Sequence, residues 1–219
     1  MKDRDILAKL WSLIDTPEII ILNGARQVGK TSLLKMIQDR LINDRQVPSR
    51  NIHTYDLERV DDLSIWSNQT AALALPFVSA HGKQYVFIDE FQRSSAIGAT
   101  LKVIHDHYPH VKCFVTGSAT WYTSIDESMA GRKIVIPIFP LSFREYLSWQ
   151  EDETVFKTYT QTLDKPSLLT TPLIEKVNAS LIQFLTYGGY PAVALTSGLD
   201  RKVEIISELI DSYLLRDIQ

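Results

Sequence analysis

The sequence predicts an α/β fold: a three-layer core on a five-stranded, mostly parallel sheet over residues 1–140, then an α-helical lid subdomain over residues 141–219. Three observations predict it. Continuous apolar runs, Ile19-Ile20-Ile21-Leu22 and Tyr85-Val86-Phe87-Ile88 among them, read as strands buried on both faces. Helical periodicities separate these runs, and strands alternating with helices imply a parallel sheet covered on both sides. Residues 24–31 follow the pattern G-x-x-x-x-G-K-[ST] between a strand and a helix, the context that a phosphate-binding loop requires, which makes the expected core that of a P-loop NTPase.

Taken in order, a short amphipathic helix opens the chain with Ile6, Leu7, Leu10, Trp11 and Ile14 on its apolar face. The first strand enters the glycine-bracketed loop, and beyond it Leu33, Leu34, Ile37 and Leu41 recur at helical spacing until the polar linker 43–50. Residues 51–57 read as a second strand, and residues 61–80 as a helical region that Pro76 breaks. His81-Gly82-Lys83 turns into the third strand, which ends in Asp89-Glu90. Ile97, Leu101, Ile104 and Tyr108 give a helix stopped by Pro109. Residues 111–116 and 134–138 complete the sheet.

After Pro140 the pattern is helical only, over 141–149, 155–163, 173–185 and 203 to the end, with a turn at Tyr187-Gly188-Gly189-Tyr190-Pro191. The connection 162–172 carries two prolines and reads as mobile. The last helix puts Val203, Ile206, Leu209, Ile210, Tyr213 and Leu214 on one face and stops without a glycine cap, which reads as part of a longer protein.

The loop's residue types each have a chemical reason. Gly24 and Gly29 let the backbone fold back and direct N–H groups at an oxyanion, and the following helix adds its partly positive N-terminus. Residues Gly24, Ala25, Arg26, Gln27, Val28, Gly29, Lys30, Thr31 and Ser32 are therefore the expected phosphate cradle. Lys30 supplies a point charge to the phosphates, and Thr31 a hydroxyl to Mg²⁺. Arg26 could reach the γ-phosphate, a partner domain or only solvent. Asp89 is the second expected magnesium ligand, at the strand end where open α/β sheets bind ligands. Glu90 can orient or deprotonate an attacking water, which suits hydrolysis better than transfer to a substrate hydroxyl.

Composition is that of a globular protein. Net charge is −3 with a pI near 6.0, so no global basic footprint points to nucleic acid, although a local patch stays open. Cys113 is the single cysteine and reads as a buried thiol. No apolar run is long enough to span a membrane and the charged start is no secretory signal, so the expected location is cytoplasmic. His105 and His107 lie two apart, do not share a helix face, and make a poor metal pair.

Seven stretches carry a more specific resemblance: NGARQVGKTSLL, FIDEFQR, FVTGSA, MAGR, PLSFREYL, YGGYPAV and the closing YLLRDI, which together span nearly the whole chain. In this order they resemble the prokaryotic AAA+-like P-loop ATPases that carry an uncharacterised C-terminal domain. The resemblance implies ATP as ligand and a further C-terminal domain or protein partner. It makes Thr116 or Ser118 the sensor of the γ-phosphate or water, where the alternative is a turn with a capping serine. It makes Arg132 an arginine finger, where the alternative is a surface arginine; action in trans would require a homo-oligomer, action in cis a monomer. It sets Pro191 against the adenine side of ATP or ADP, where the alternative is a helix–helix turn. Arg93 could pair with a carboxylate or with nucleic acid.

The sequence thus leads to an expected Mg²⁺-dependent ATPase coupled to conformational change. The second reading is a nucleotide-loaded module that turns over little and docks DNA or protein. A nucleoside kinase is disfavoured, because the helical subdomain carries few arginines.

Overall fold

The structure, a computed structural model, describes residues 2–118, 129–150, 153–164 and 170–216. Ala119 of the FVTGSA stretch, residues 165–169 of the 162–172 connection and the last residues of YLLRDI lie outside the described residues, as do the side chains of Tyr213 and Leu214. The chain divides into two compact units, Asp5–Phe139 and Pro140–Gln219 with Met1–Arg4.

In the first unit, strands β1 (Ile19–Asn23), β2 (Ile52–Asp56), β3 (Gln84–Asp89), β4 (Val111–Gly117) and β5 (Lys133–Pro137) form one sheet in the order β2-β3-β4-β1-β5. Every pairing is parallel. Position in the sheet explains composition. The inner strands β1, β3 and β4 are buried almost throughout, whereas the edge strands β2 and β5 are half-buried.

Alternation sorts the inner side chains between two layers. Ile19, Ile21, Val86, Ile88, Val111, Cys113 and Val115 join one core with Leu57, Trp66, Phe77, Phe91, Ile97, Leu101 and Ile104. On the alternate positions Phe87 and Phe114 stack with centroids 5.4 Å apart. Leu7, Leu10 and Ile14 of the opening segment, which includes α1 (Ile6–Ser12), are buried, as are Leu33, Leu34, Ile37 and Leu41 of α2 (Lys30–Asn43). Each such fully buried side chain contributes about 1.5–3 kcal/mol.

Lys112 interrupts this apolar layer. It is 1% exposed, and its ammonium donates to the carbonyls of Thr16 (2.7 Å) and Glu18 (2.6 Å) and to the Thr16 hydroxyl (3.1 Å). Burial lowers its pKa to about 8.

The helical region expected over 61–80 with a break at Pro76 is three short helices: α3 (Val60–Trp66), α4 (Gln69–Leu73) and α5 (Pro76–Ser79). Asn68 starts α4 by accepting from the Ala71 N–H, and Pro76 occupies the first turn of α5, where its missing N–H costs nothing. Pro76 therefore both ends one element and begins the next. Helix α6 (Ile97–His107) connects β3 to β4.

The second unit is helical among the described residues: α7 (Phe143–Trp149), α8 (Glu153–Asp164), α9 (Thr171–Tyr187), α10 (Pro191–Ala194) and α11 (Leu199–Arg216). Its core gathers Leu141, Tyr146, Leu147, Trp149, Val155 and Ala194. The SFRE stretch starts α7 with a capping box, in which Ser142 and Glu145 satisfy each other's backbone N–H groups. Glu145 also takes a 2.9 Å ion pair from Arg4, both side chains being at most 7% exposed. The Trp149 indole donates to the Asp3 carbonyl at 2.9 Å.

Candidate nucleotide site

The site is assembled where β1, β3 and β4 end. β1 runs into the loop 24–29, and Gly24 donates to the Gly117 carbonyl at the end of β4 (3.4 Å). Gly24 has to be glycine: a Cβ there would lie 2.2 Å from the Ile138 carbonyl oxygen. Gln27 (φ 59°) and Gly29 (φ 96°) take left-handed conformations that reverse the loop over the start of α2. Val28, fully buried, anchors the loop in the core.

Lys30 opens α2 and is 5% exposed. Its ammonium folds back to donate to the carbonyls of Gly24 (2.9 Å) and Ala25 (2.8 Å), so the cation sits inside the loop's curl. The first N–H groups of any helix lack intrahelical partners, which leaves the Lys30-Thr31-Ser32 backbone suited to an anion.

β3 brings its carboxylates to the same place. Thr31 Oγ1 donates to Asp89 Oδ2 at 2.5 Å, and the Thr116 hydroxyl donates to Asp89 Oδ1. The Glu90 N–H in turn donates to Thr116 Oγ1 (3.1 Å). Glu90 adopts φ 53°, ψ 43°, a left-handed backbone that is uncommon for a residue with a long side chain. Gln92, in the tight turn Phe91–Arg93, donates its amide to Glu90 Oε2 at 2.6 Å.

The structure therefore brings together Lys30, Thr31, Asp89, Glu90 and Thr116 from three separate stretches of sequence. Of the two candidate sensors, Thr116 touches both carboxylate residues, and Ser118 is buried one residue past β4. Ala25 and Arg26 are partly exposed in the loop, and Ser32 is exposed on α2. Arg93 pairs with Glu58 at 3.4 Å on the surface.

Arg132 is not at this site. Its carbonyl accepts from the Ile19 N–H (2.9 Å) at the start of β1, and the next residue, Lys133, pairs with Ile19. A parallel strand of this length spans about 13 Å, so the phosphate loop leaves from the far end. The guanidinium is bonded instead to Asp106 (2.7 Å), whose carboxyl that contact and His105 lower to about 2. A cis arginine finger from this position is corrected on that ground, because a residue just before a parallel strand lies at the end opposite the ligand.

Pro191 opens α10 in the helical unit. The glycines before it have local roles. Gly188 (φ 81°) ends α9, and Gly189 packs so that a Cβ would sit 2.4 Å from the Leu141 carbonyl oxygen. Sequence reasoning missed Gln92. The only signal was an amide two residues past Glu90, and sequence does not show that a tight turn folds it back.

The oxygen donors of Thr31 and Asp89 suit Mg²⁺, and the curled loop with its buried lysine suits phosphate, so the residues present fit both groups. Among the described residues, no helix is long and apolar enough to cross a membrane.

Comparison with known proteins agrees with this geometry. The family model described as "AAA domain" matches residues 16–147, more than half of the chain. An uncharacterized protein of Methanocaldococcus jannaschii is 27% identical over 219 residues, covering 99% of this chain and 44% of that protein. Another from Haemophilus influenzae is 26% identical over 218 residues, covering 97% and 49%. The chain thus spans about half the length of these curated relatives. Among solved structures, the Walker-type ATPase of Pyrococcus abyssi matches with a TM-score of 0.57 at 17% identity, covering 98% of this chain and 75% of that one. That likeness is one of fold. A nucleotide-binding, ATPase-like role is what the family domain supports, and on these residues the chain belongs to the AAA domain family of P-loop ATPases.

Proposed function

We propose that the chain is a cytoplasmic, Mg²⁺-dependent ATPase whose binding and hydrolysis of ATP drive a conformational change of a C-terminal domain or protein partner. One observation carries the reading. Thr31 and Asp89, 58 residues apart in sequence, meet at 2.5 Å, which joins the phosphate loop to the carboxylate strand in one all-oxygen site. Mg²⁺ bound there would neutralise charge on the phosphates.

The chain's own residues supply the rest. Lys30, which at rest satisfies the Gly24 and Ala25 carbonyls, exchanges them for phosphate oxygens as a point charge. The N–H groups of the loop and of the first turn of α2 bind the same oxygens. Thr116 holds the Asp89 carboxylate and, through the Glu90 N–H, the strand end that carries the base. Glu90 accepts a proton from the attacking water. Arg26 lines the loop on the γ-phosphate side, Ser118 is the second sensor hydroxyl, and Pro191 contacts adenine so that the helical unit reports ATP against ADP. ATP rather than GTP rests on the family resemblance.

The position of Arg132, a strand length from the loop, favours a second reading for the isolated chain: a nucleotide-loaded module with little turnover that docks protein or DNA. Arg132 would then complete the site of a neighbouring subunit in a homo-oligomer. The test is ATP hydrolysis by the parent, Glu90→Gln and Lys30→Ala, with ATP affinity measured for all three. The proposed enzyme loses at least a hundredfold in turnover in both variants and keeps binding only in Glu90→Gln. Tight binding by the parent without turnover would favour the module.

A further inference from the structure

Gln92 stands in an arrangement that folding alone does not explain. Its amide nitrogen lies 2.6 Å from Glu90 Oε2, a short contact to a carboxylate. The opposite assignment of that amide would set oxygen against oxygen, so the donor must face Glu90. Its carbonyl oxygen is then turned inward, buried and without a hydrogen-bond partner. A buried acceptor left unpaired is costly, and such groups persist where the arrangement serves something besides stability.

The surroundings hold the side chain in that orientation. Gly117, next to Thr116, leaves room for it: a Cβ on Gly117 would fall 3.2 Å from Gln92 Oε1 and 2.4 Å from the Phe91 ring. Glu90 contributes a second strained feature, its left-handed backbone. Two unfavourable local choices converge on one outcome, a Glu90 carboxylate with one oxygen tied down and the other left to act.

We infer that Gln92 is a positioning residue for the hydrolytic step, fixing the Glu90 carboxylate through its amide. The inference rests on the proposed role of Glu90 as base. Gln92 touches neither loop nor phosphate-binding lysine in the contacts described, so its effect falls on turnover and not on nucleotide affinity.

The deciding variant is Gln92→Met, which keeps the volume and removes both the donor and the unpaired acceptor. Its single-turnover rate of ATP hydrolysis is expected to fall about tenfold, with ATP affinity within twofold of the parent and a melting temperature that is not lowered. Stability and turnover moving apart is a signature that a purely structural glutamine would not give. In a Glu90→Gln background, where turnover is already low but above that of Lys30→Ala, the Met substitution adds no further loss, because the residue acts through Glu90.

Unchanged or faster turnover in Gln92→Met, a parallel drop in melting temperature, or a full tenfold loss on top of Glu90→Gln would each overturn the inference. Gln92→Ala, read the same way, decides the matter should the Met variant not fold. Failure of the underlying reading looks different: Glu90→Gln would keep parental turnover, or the parent itself would have none.

Discussion

The two units differ most in what their helices bury. In the sheet unit, α2 buries Lys30, Leu33, Leu34, Met36, Ile37 and Leu41 against a sheet whose inner strands are sealed on both sides. In the helical unit, α9 is longer and has no buried residue at all, while Ile182 and Leu185 are 64% and 72% exposed. Both segments show apolar residues at helical spacing. Periodicity therefore identifies a helix, but burial depends on whether a sheet or another helix lies opposite it. The chemistry is built on the sealed unit, where strand ends are fixed by neighbours on both sides, and residues far apart in sequence can be held within hydrogen-bond distance.

The largest expected effect comes from opening the sealed side. Phe114→Ala removes a ring that is fully buried and stacked on Phe87, and should cost about 3–5 kcal/mol in a denaturant melt. A cost below about 1 kcal/mol would mean the layer is looser than its burial indicates.

The second effect reads the seal by pH. Burial pushes the Cys113 thiol from 9.0 up to about 12. A raised folded pKa keeps the thiol protonated in the native state after the unfolded chain has ionised. The parent should therefore lose stability relative to Cys113→Ala as pH climbs from about 9 toward 12, with no relative slope below 9. Equal slopes in denaturant melts across that window would show that water reaches the sulfur.

The smallest effect belongs to α9. Leu185→Ser changes an exposed side chain and should move stability by no more than about 0.5 kcal/mol. A loss approaching that of Phe114→Ala would erase the contrast between the units.

How far the sequence reveals this molecule follows the same division. The runs Ile19-Ile20-Ile21-Leu22 and Tyr85-Val86-Phe87-Ile88 were legible as inner strands because a strand covered on both faces must be apolar at every position. The loop, Lys30, Thr31 and Asp89 were legible because their chemistry tolerates few other residue types. Three features were not. The break of 61–80 at Pro76 was read, but its further split depends on Asn68 acting as a helix start, a signal that is weak without knowing which residues face the sheet. That Thr116 meets the carboxylates depends on the register of β4 against β3, which sets it beside Asp89 and which pairing alone fixes. Gln92 depends on a left-handed residue folding the turn back. Arg132 is a different case, since strand direction alone puts a residue preceding β5 at the end away from the loop.

The most direct test of the central claim is ATP affinity with and without Mg²⁺, measured by calorimetry for the parent and for Asp89→Asn. If Thr31 and Asp89 form one metal-binding site, Mg²⁺ tightens ATP binding by the parent at least tenfold, and most of that gain is lost in Asp89→Asn. Equal affinity with and without Mg²⁺ in the parent, or an undiminished gain in the variant, would contradict it.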